Sequence, residues 1–312
     1  MEYHSIIENH NEGYINENER NVHVWCSKLA ALRDKTAGEH GLLLFAGFYN
    51  HNKVTAEMLY HWVQIIAKET NATFILVAGQ DPRIIIKKHS SMRLISYETL
   101  IQEGEAKILR KDDRSVVHGH YYIFSPDKSA LRLSINILIG ASSSGQLKPE
   151  KPNKRDSRFK KAIRMRDKRC AITQSPVPFR DRGPDFTSFQ AAHIYPFSCL
   201  AKKTYQDFLD LENQPIFRLP QLGDGKPNGV LMFSDLHMLF DAYAFGILVD
   251  TSGKIPIYKT YCFEKSNMDL VDKYPELKFN DQVEHPMANF FWEQFKLCLL
   301  ASFAGNGRVF TT

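Results

Sequence analysis

Asn228-Gly229-Val230-Leu231-Met232-Phe233-Ser234-Asp235-Leu236-His237-Met238-Leu239-Phe240-Asp241 reads as a strand that runs straight into a helix. Gly229 to Phe233 is an apolar run of strand length. Ser234 is a natural N-cap, because its hydroxyl can accept a hydrogen bond from an orphan amide of the first turn. Within the helix His237 and Asp241 are four residues apart, so both project from one face. A second stretch, Gln190-Ala191-Ala192-His193-Ile194-Tyr195-Pro196, reads as an apolar strand that delivers a histidine just before a proline stop. Should the two stretches meet, a strand-end histidine faces a histidine and a carboxylate on a helix. Those are the groups of a one-metal hydrolytic site.

Ala-Ala-His-Ile-x-Pro followed by Asn-Gly-x-Leu-x-x-x-x-x-His-x-Leu-Phe-Asp resembles the HNH endonuclease family with its ββα-metal finger; the three letters are His193, Asn228 and His237. Arg164 to Thr173 is similar to the lead-in helix and strand of HNH proteins common in fungi. Phe291-Trp292-Glu293-Gln294-Phe295 with Gly305-Asn306-Gly307 is similar to their closing segment, so the likeness covers roughly the last half of the chain. The resemblance implies a metal-dependent DNA endonuclease in which His193 is the general base and His237 a metal ligand. Asn228 would tie the loop between the strands. One position departs from the pattern. Many HNH enzymes carry an Asp or His metal ligand before the base, and here that residue is Ala192. Asp241 is the natural substitute ligand, with a simple helix-end ion pair as its alternative role. So few protein ligands favour Mg²⁺ or Mn²⁺ completed by water and phosphate over Zn²⁺. A catalytically weak or inactive HNH scaffold that only binds nucleic acid or a partner is the other reading.

Charge placement agrees with a nucleic-acid partner. Lys148 to Arg182 holds 13 Lys/Arg against 4 Asp/Glu, a local +9, so the other residues together carry −4 of the chain's +5. Charge runs are usually solvated linkers, but this one abuts the candidate finger. Asp156 can cap a helix from Ser157 to Asp167, with Phe159 and Ile163 on its buried edge and Arg158, Lys161 and Arg164 available to a phosphate backbone. Between the two motifs, Arg218 and Lys226 are candidate phosphate clamps.

At 312 residues with 43% hydrophobic and 12% aromatic content, the chain is a folded protein with room for two cores. No apolar run is long enough for a membrane span, and the first residues lack the pattern of a signal peptide. Five cysteines, at 26, 170, 199, 262 and 298, form an odd set with no close pair. That favours free thiols and an intracellular place, nuclear or cytoplasmic. The expected fold class is α+β: a leader over 1–20, an N-terminal α+β domain over 21–140, a basic linker over 141–155 and an HNH domain over 156–312. Expected elements of the first domain are strands beginning at His23-Val24-Trp25-Cys26 and over Leu42 to Phe48, and a helix over 56–68 capped by Thr55. β-rich signals continue at Thr73 to Ala78 and Arg83 to Ile86, then Tyr121 to Ser125 and Leu131 to Ile139 flank a turn at Pro126-Asp127. That domain could bind a partner or the substrate, and a homodimer is compatible with the sequence. His118-Gly119-His120 reads as a turn and a surface ring, not a metal site. Strands at Ala244 to Val249 and Ile255 to Tyr258 and a terminal helix over 286–303 complete the HNH half.

Overall fold

The computed structural model describes residues 20–29, 40–51, 53–69, 71–88, 95–104, 106–131, 133, 157–196, 225–250, 253, 255–279 and 285–303. The polar leader up to residue 19, the basic linker, most of the strand expected over 131–139, the Asp156 cap and the 197–224 insert with Arg218 lie outside the described residues. The chain divides into two compact units. One comprises Met1–Ile137, Phe263–Ser266 and Leu299–Val309; the other comprises Leu138–Cys262, Asn267–Cys298 and Phe310–Thr312.

The first unit is built on a five-stranded sheet of β1 (Val22–Leu29), β2 (His40–Phe48), β3 (Ile75–Gly79), β4 (Lys107–Ile108) and β5 (Gly119–Phe124), in the order β2-β1-β5-β3-β4. Only the β1–β5 pair is parallel. Helix α1 (Ala56–Ile66) starts at Thr55, whose Oγ1 accepts from the Met58 amide at 3.3 Å. Apolar residues at helical spacing turn Leu59, Trp62, Val63 and Ile66 inward, and the Trp62 ring meets Phe48, Phe263 and Phe303 at 5.6–6.0 Å. A second core, with Trp25, Val77, Tyr122 and Phe124 from the sheet, takes in Ile85, Tyr97 and Leu100 from α2 (Pro82–Lys88) and α3 (Tyr97–Gln102). Arg20, at the edge of the expected leader, is buried and donates from Nη1 to the Gly47 carbonyl at 2.6 Å, and from Nη2 to the Ser302 carbonyl.

Arg83 to Ile86 is helix, not strand. Pro82 carries the fixed φ suited to a first helical turn, and the amides of Ile84 and Ile85 bond to the Asp81 carbonyl. Of the isoleucine run, Ile85 is buried while Ile84 is about half exposed, so a helical face wins over local β preference. His118 is exposed as expected, whereas His120 is not a surface ring. It stacks against both His23, at 5.0 Å, and Trp25, at 6.1 Å.

The second unit holds α4 (Ser157–Asp167), the short hairpin β6 (Phe179–Arg180) and β7 (Gly183–Pro184), and the antiparallel pair β8 (Phe189–His193) and β9 (Gly229–Phe233). A single 3₁₀ turn, Lys226–Asn228, enters β9, and α5 (Ser234–Asp241) leaves it directly. Then follow β10 (Phe245–Asp250), β11 (Ile257–Cys262), α6 (Met268–Lys273), β12 (Glu276–Leu277) and α7 (Ala288–Cys298). The strand expected after α4 is a turn over 171–173. Lys168 stops the helix in the left-handed region, and Arg169 makes only one bridge, to Pro176. Ser234 is the first helical residue and not the cap: its hydroxyl donates to the Ser188 carbonyl at 3.3 Å, and its amide bonds to the same oxygen. Cys26, Cys170, Cys262 and Cys298 are buried thiols. Among the described residues no helix is long and apolar enough to cross a membrane. The mixture of helix and strand is that of an α+β chain.

Candidate functional site

The site is organised by the β8–β9 hairpin. Its register sets Gln190 opposite Met232, Ala192 opposite Val230 and His193 opposite Gly229. Residues directly opposite share a face, and neighbours along a strand alternate. One face therefore carries Gln190 and Ala192, and the other carries Ala191 and His193.

On the first face, α5 brings His237 to the hairpin. The His237 Nδ1–H donates to Gln190 Oε1 at 2.6 Å, which turns Nε2 toward Asp241 Oδ2 at 3.3 Å. An imidazole lone pair and a carboxylate that close require a shared proton or a shared cation between them. Asp241 is mostly exposed, so solvent and substrate can reach the pair. Ala192, on the same face, is fully buried. The donor set, one imidazole nitrogen and one carboxylate oxygen one helical turn apart, fits a divalent ion that keeps most of its shell for water and phosphate. Among the described residues no three His, Cys, Asp or Glu side chains converge as a metal cluster.

On the opposite face α4 packs against the hairpin. The Phe159 ring lies flat on the His193 ring, centroids 4.0 Å apart and planes 2° from parallel. A Cβ at Gly229 would stand 2.5 Å from Ile163 Cδ1 and 2.7 Å from Phe159 Cε2, so the missing side chain is what lets α4 approach. The structure thus joins His237 to Asp241 and places His193 on the other side of the hairpin, against an aromatic ring.

Asn228 closes the hairpin. It is completely buried, accepts from the Tyr195 amide through Oδ1 at 2.8 Å and returns Nδ2–H to the Tyr195 carbonyl at 3.0 Å; its own carbonyl accepts from Ile194 at 3.0 Å. This fixes the chain just beyond His193. Arg166 and Asp167 add a clamp that sequence spacing does not reveal. Arg166 donates to the carbonyls of Lys226 at 2.7 Å and Gly229 at 2.6 Å, and Asp167 accepts from the Leu231 amide at 2.8 Å. Gln190 was missed: its stretch reads as an apolar strand that delivers His193, and nothing in that pattern gives Gln190 a role.

The nucleic-acid candidates fare differently. Arg158 and Lys161 are exposed on α4, and Lys226 is exposed beside Asn228. Arg164 is half-buried: its guanidinium lies 4.6 Å over the Phe186 ring, and burial lowers its pKa.

No curated protein and no solved structure matches the chain. Residues 170–248 match the family model described as HNH endonuclease, a span that contains β8, the Asn228 turn, β9 and α5. This segment is similar to the HNH endonuclease family, whose activity is of the nuclease type.

Proposed function

We propose that the protein is a metal-dependent endonuclease that hydrolyses DNA phosphodiester bonds. His193 is the general base, and a divalent cation, Mg²⁺ or Mn²⁺ before Zn²⁺, is held by His237 and Asp241. The observation that carries this reading is the His237–Asp241 pair, with its imidazole oriented by Gln190. When bound, such an ion neutralises charge that builds on the phosphate and on the departing 3′ oxygen. His193 accepts a proton from water, and the flat contact with Phe159 holds its ring in one plane. Asn228 fixes the backbone that positions it. Arg158, Lys161, Arg164, Arg218 and Lys226 supply cations for the phosphate backbone. The N-terminal domain, 21–140, serves a partner or substrate, the basic linker spans 141–155 and the nuclease domain spans 156–312.

A second reading, an HNH scaffold that binds nucleic acid without turnover, is favoured by the placement of His193 and His237 on opposite faces of the hairpin and by Ala192 in place of a ligand. Nicking of supercoiled plasmid separates the two. The wild type should nick with Mg²⁺ or Mn²⁺ and stop with EDTA, and His193→Ala should lose about 100-fold or more of the rate, as expected when a general base is removed. Equal behaviour of wild type and His193→Ala would sink the enzymatic reading.

A further inference from the structure

A cleft of about 420 Å³ lies between the outer side of α4 and the 184–186 segment, away from the His237–Asp241 pair. Lys160, Lys161, Arg164 and Lys168 line it, and none of them is paired with a carboxylate among the described residues. The rest of its lining is apolar: Met165, Pro184 and Phe186. Arg164 and Phe186 form one stacked wall, and the Arg164 Nε–H is buried there with no acceptor. At the rim Met165 is 65% exposed, and Phe179, opposite Pro184 in the β6–β7 register, is 80% exposed.

A helix that only follows a duplex backbone needs cations and nothing else. Flat apolar and guanidinium surfaces set among those cations suit the faces of nucleobases, which a duplex hides in its stack. The volume falls in the range of small-ligand pockets, about 300–1,000 Å³, and a base with its sugar fits that scale. We infer that this cleft holds an unpaired nucleotide, its base against the Arg164–Phe186 wall and Met165, its flanking phosphates on Lys160, Lys161 and Lys168. The substrate class is therefore nucleic acid with a single-stranded stretch. This rests on the nucleic-acid part of the proposed function and not on catalysis.

The test is binding of the full chain, in EDTA so that nothing is cut, to a fluorescent single-stranded DNA oligonucleotide and to the blunt duplex of the same sequence at one fixed salt concentration. The wild type should bind the single strand about tenfold tighter or more. Phe186→Leu should lower single-strand affinity roughly 5- to 100-fold, the span of one lost base stack, and leave duplex affinity unchanged. Phe186→Tyr should retain the preference. Duplex binding is the internal control for folding. Equal affinity of the wild type for both DNAs overturns the inference, as does a Phe186→Leu effect that is absent or equal on both. Because no turnover is read, a protein that fails the plasmid assay yet prefers single strands loses only the catalytic reading.

Discussion

At Gly229 a built Cβ would sit 2.5 Å from Ile163 Cδ1, far inside contact distance. Its φ of −140° is ordinary for a strand, so the requirement for glycine is purely one of space. Gly229→Ala should push α4 outward, cost about 1–3 kcal/mol of stability and disturb the Phe159–His193 stack. A lowered melting temperature together with slower plasmid nicking is the expected result. A variant as stable and active as wild type would show that α4 yields without consequence. Asp241 is the second residue-scale case. Asp241→Ala should weaken Mn²⁺ binding by about tenfold or more in calorimetric titration, since one of two donors is lost. Unchanged affinity would return Asp241 to a helix-end ion pair. The approach of α4 to Gly229 was not written in local spacing: Gly229 and Ile163 are 66 residues apart. The His237–Asp241 pair was, because four residues is one helical turn.

The elements explain themselves to different degrees. Helix α1 follows from its Thr55 cap and inward Leu59, Trp62 and Ile66, all visible in the sequence. The 82–88 segment does not, since three isoleucines suit a strand until Pro82 and the Asp81 carbonyl commit them to a helix. Helix α7 carries a testable oddity. Glu293 is buried, and desolvation raises its pKa, only partly opposed by the hydrogen bond from Lys296 at 2.8 Å. A carboxyl titrating above its unfolded value holds its proton longer in the native state, so stability falls as pH rises from the unfolded pKa through the folded one. Glu293→Gln removes that loss. Its melting temperature should exceed that of wild type by roughly 1–3 °C at pH near 8, a gap that closes toward pH 4. A variant less stable at both pH values would mean that the Lys296 contact outweighs burial.

At the scale of the whole molecule, the local +9 over 148–182 lies in a chain of net +5. Duplex or single-strand DNA binding should therefore weaken steeply with salt. Each phosphate contacted adds about −0.7 to −0.9 to the slope of log Kobs against log[salt], so three or more contacts give a slope near −2 or steeper. A flat titration would contradict backbone contact by this block.

The amino-acid order by itself determined the strand that runs into the finger helix and the helical turn joining His237 to Asp241, while the role of Asn228 followed only from the family resemblance. An apolar run and a four-residue step are local quantities. Only the tertiary structure decided which face of the hairpin each histidine occupies, that Arg166 and Asp167 lock α4 to β9, and that Arg164 lies on Phe186. Those relations depend on which distant surfaces fill one another's space. Packing fixes that for the chain as a whole, and no single window of sequence encodes it.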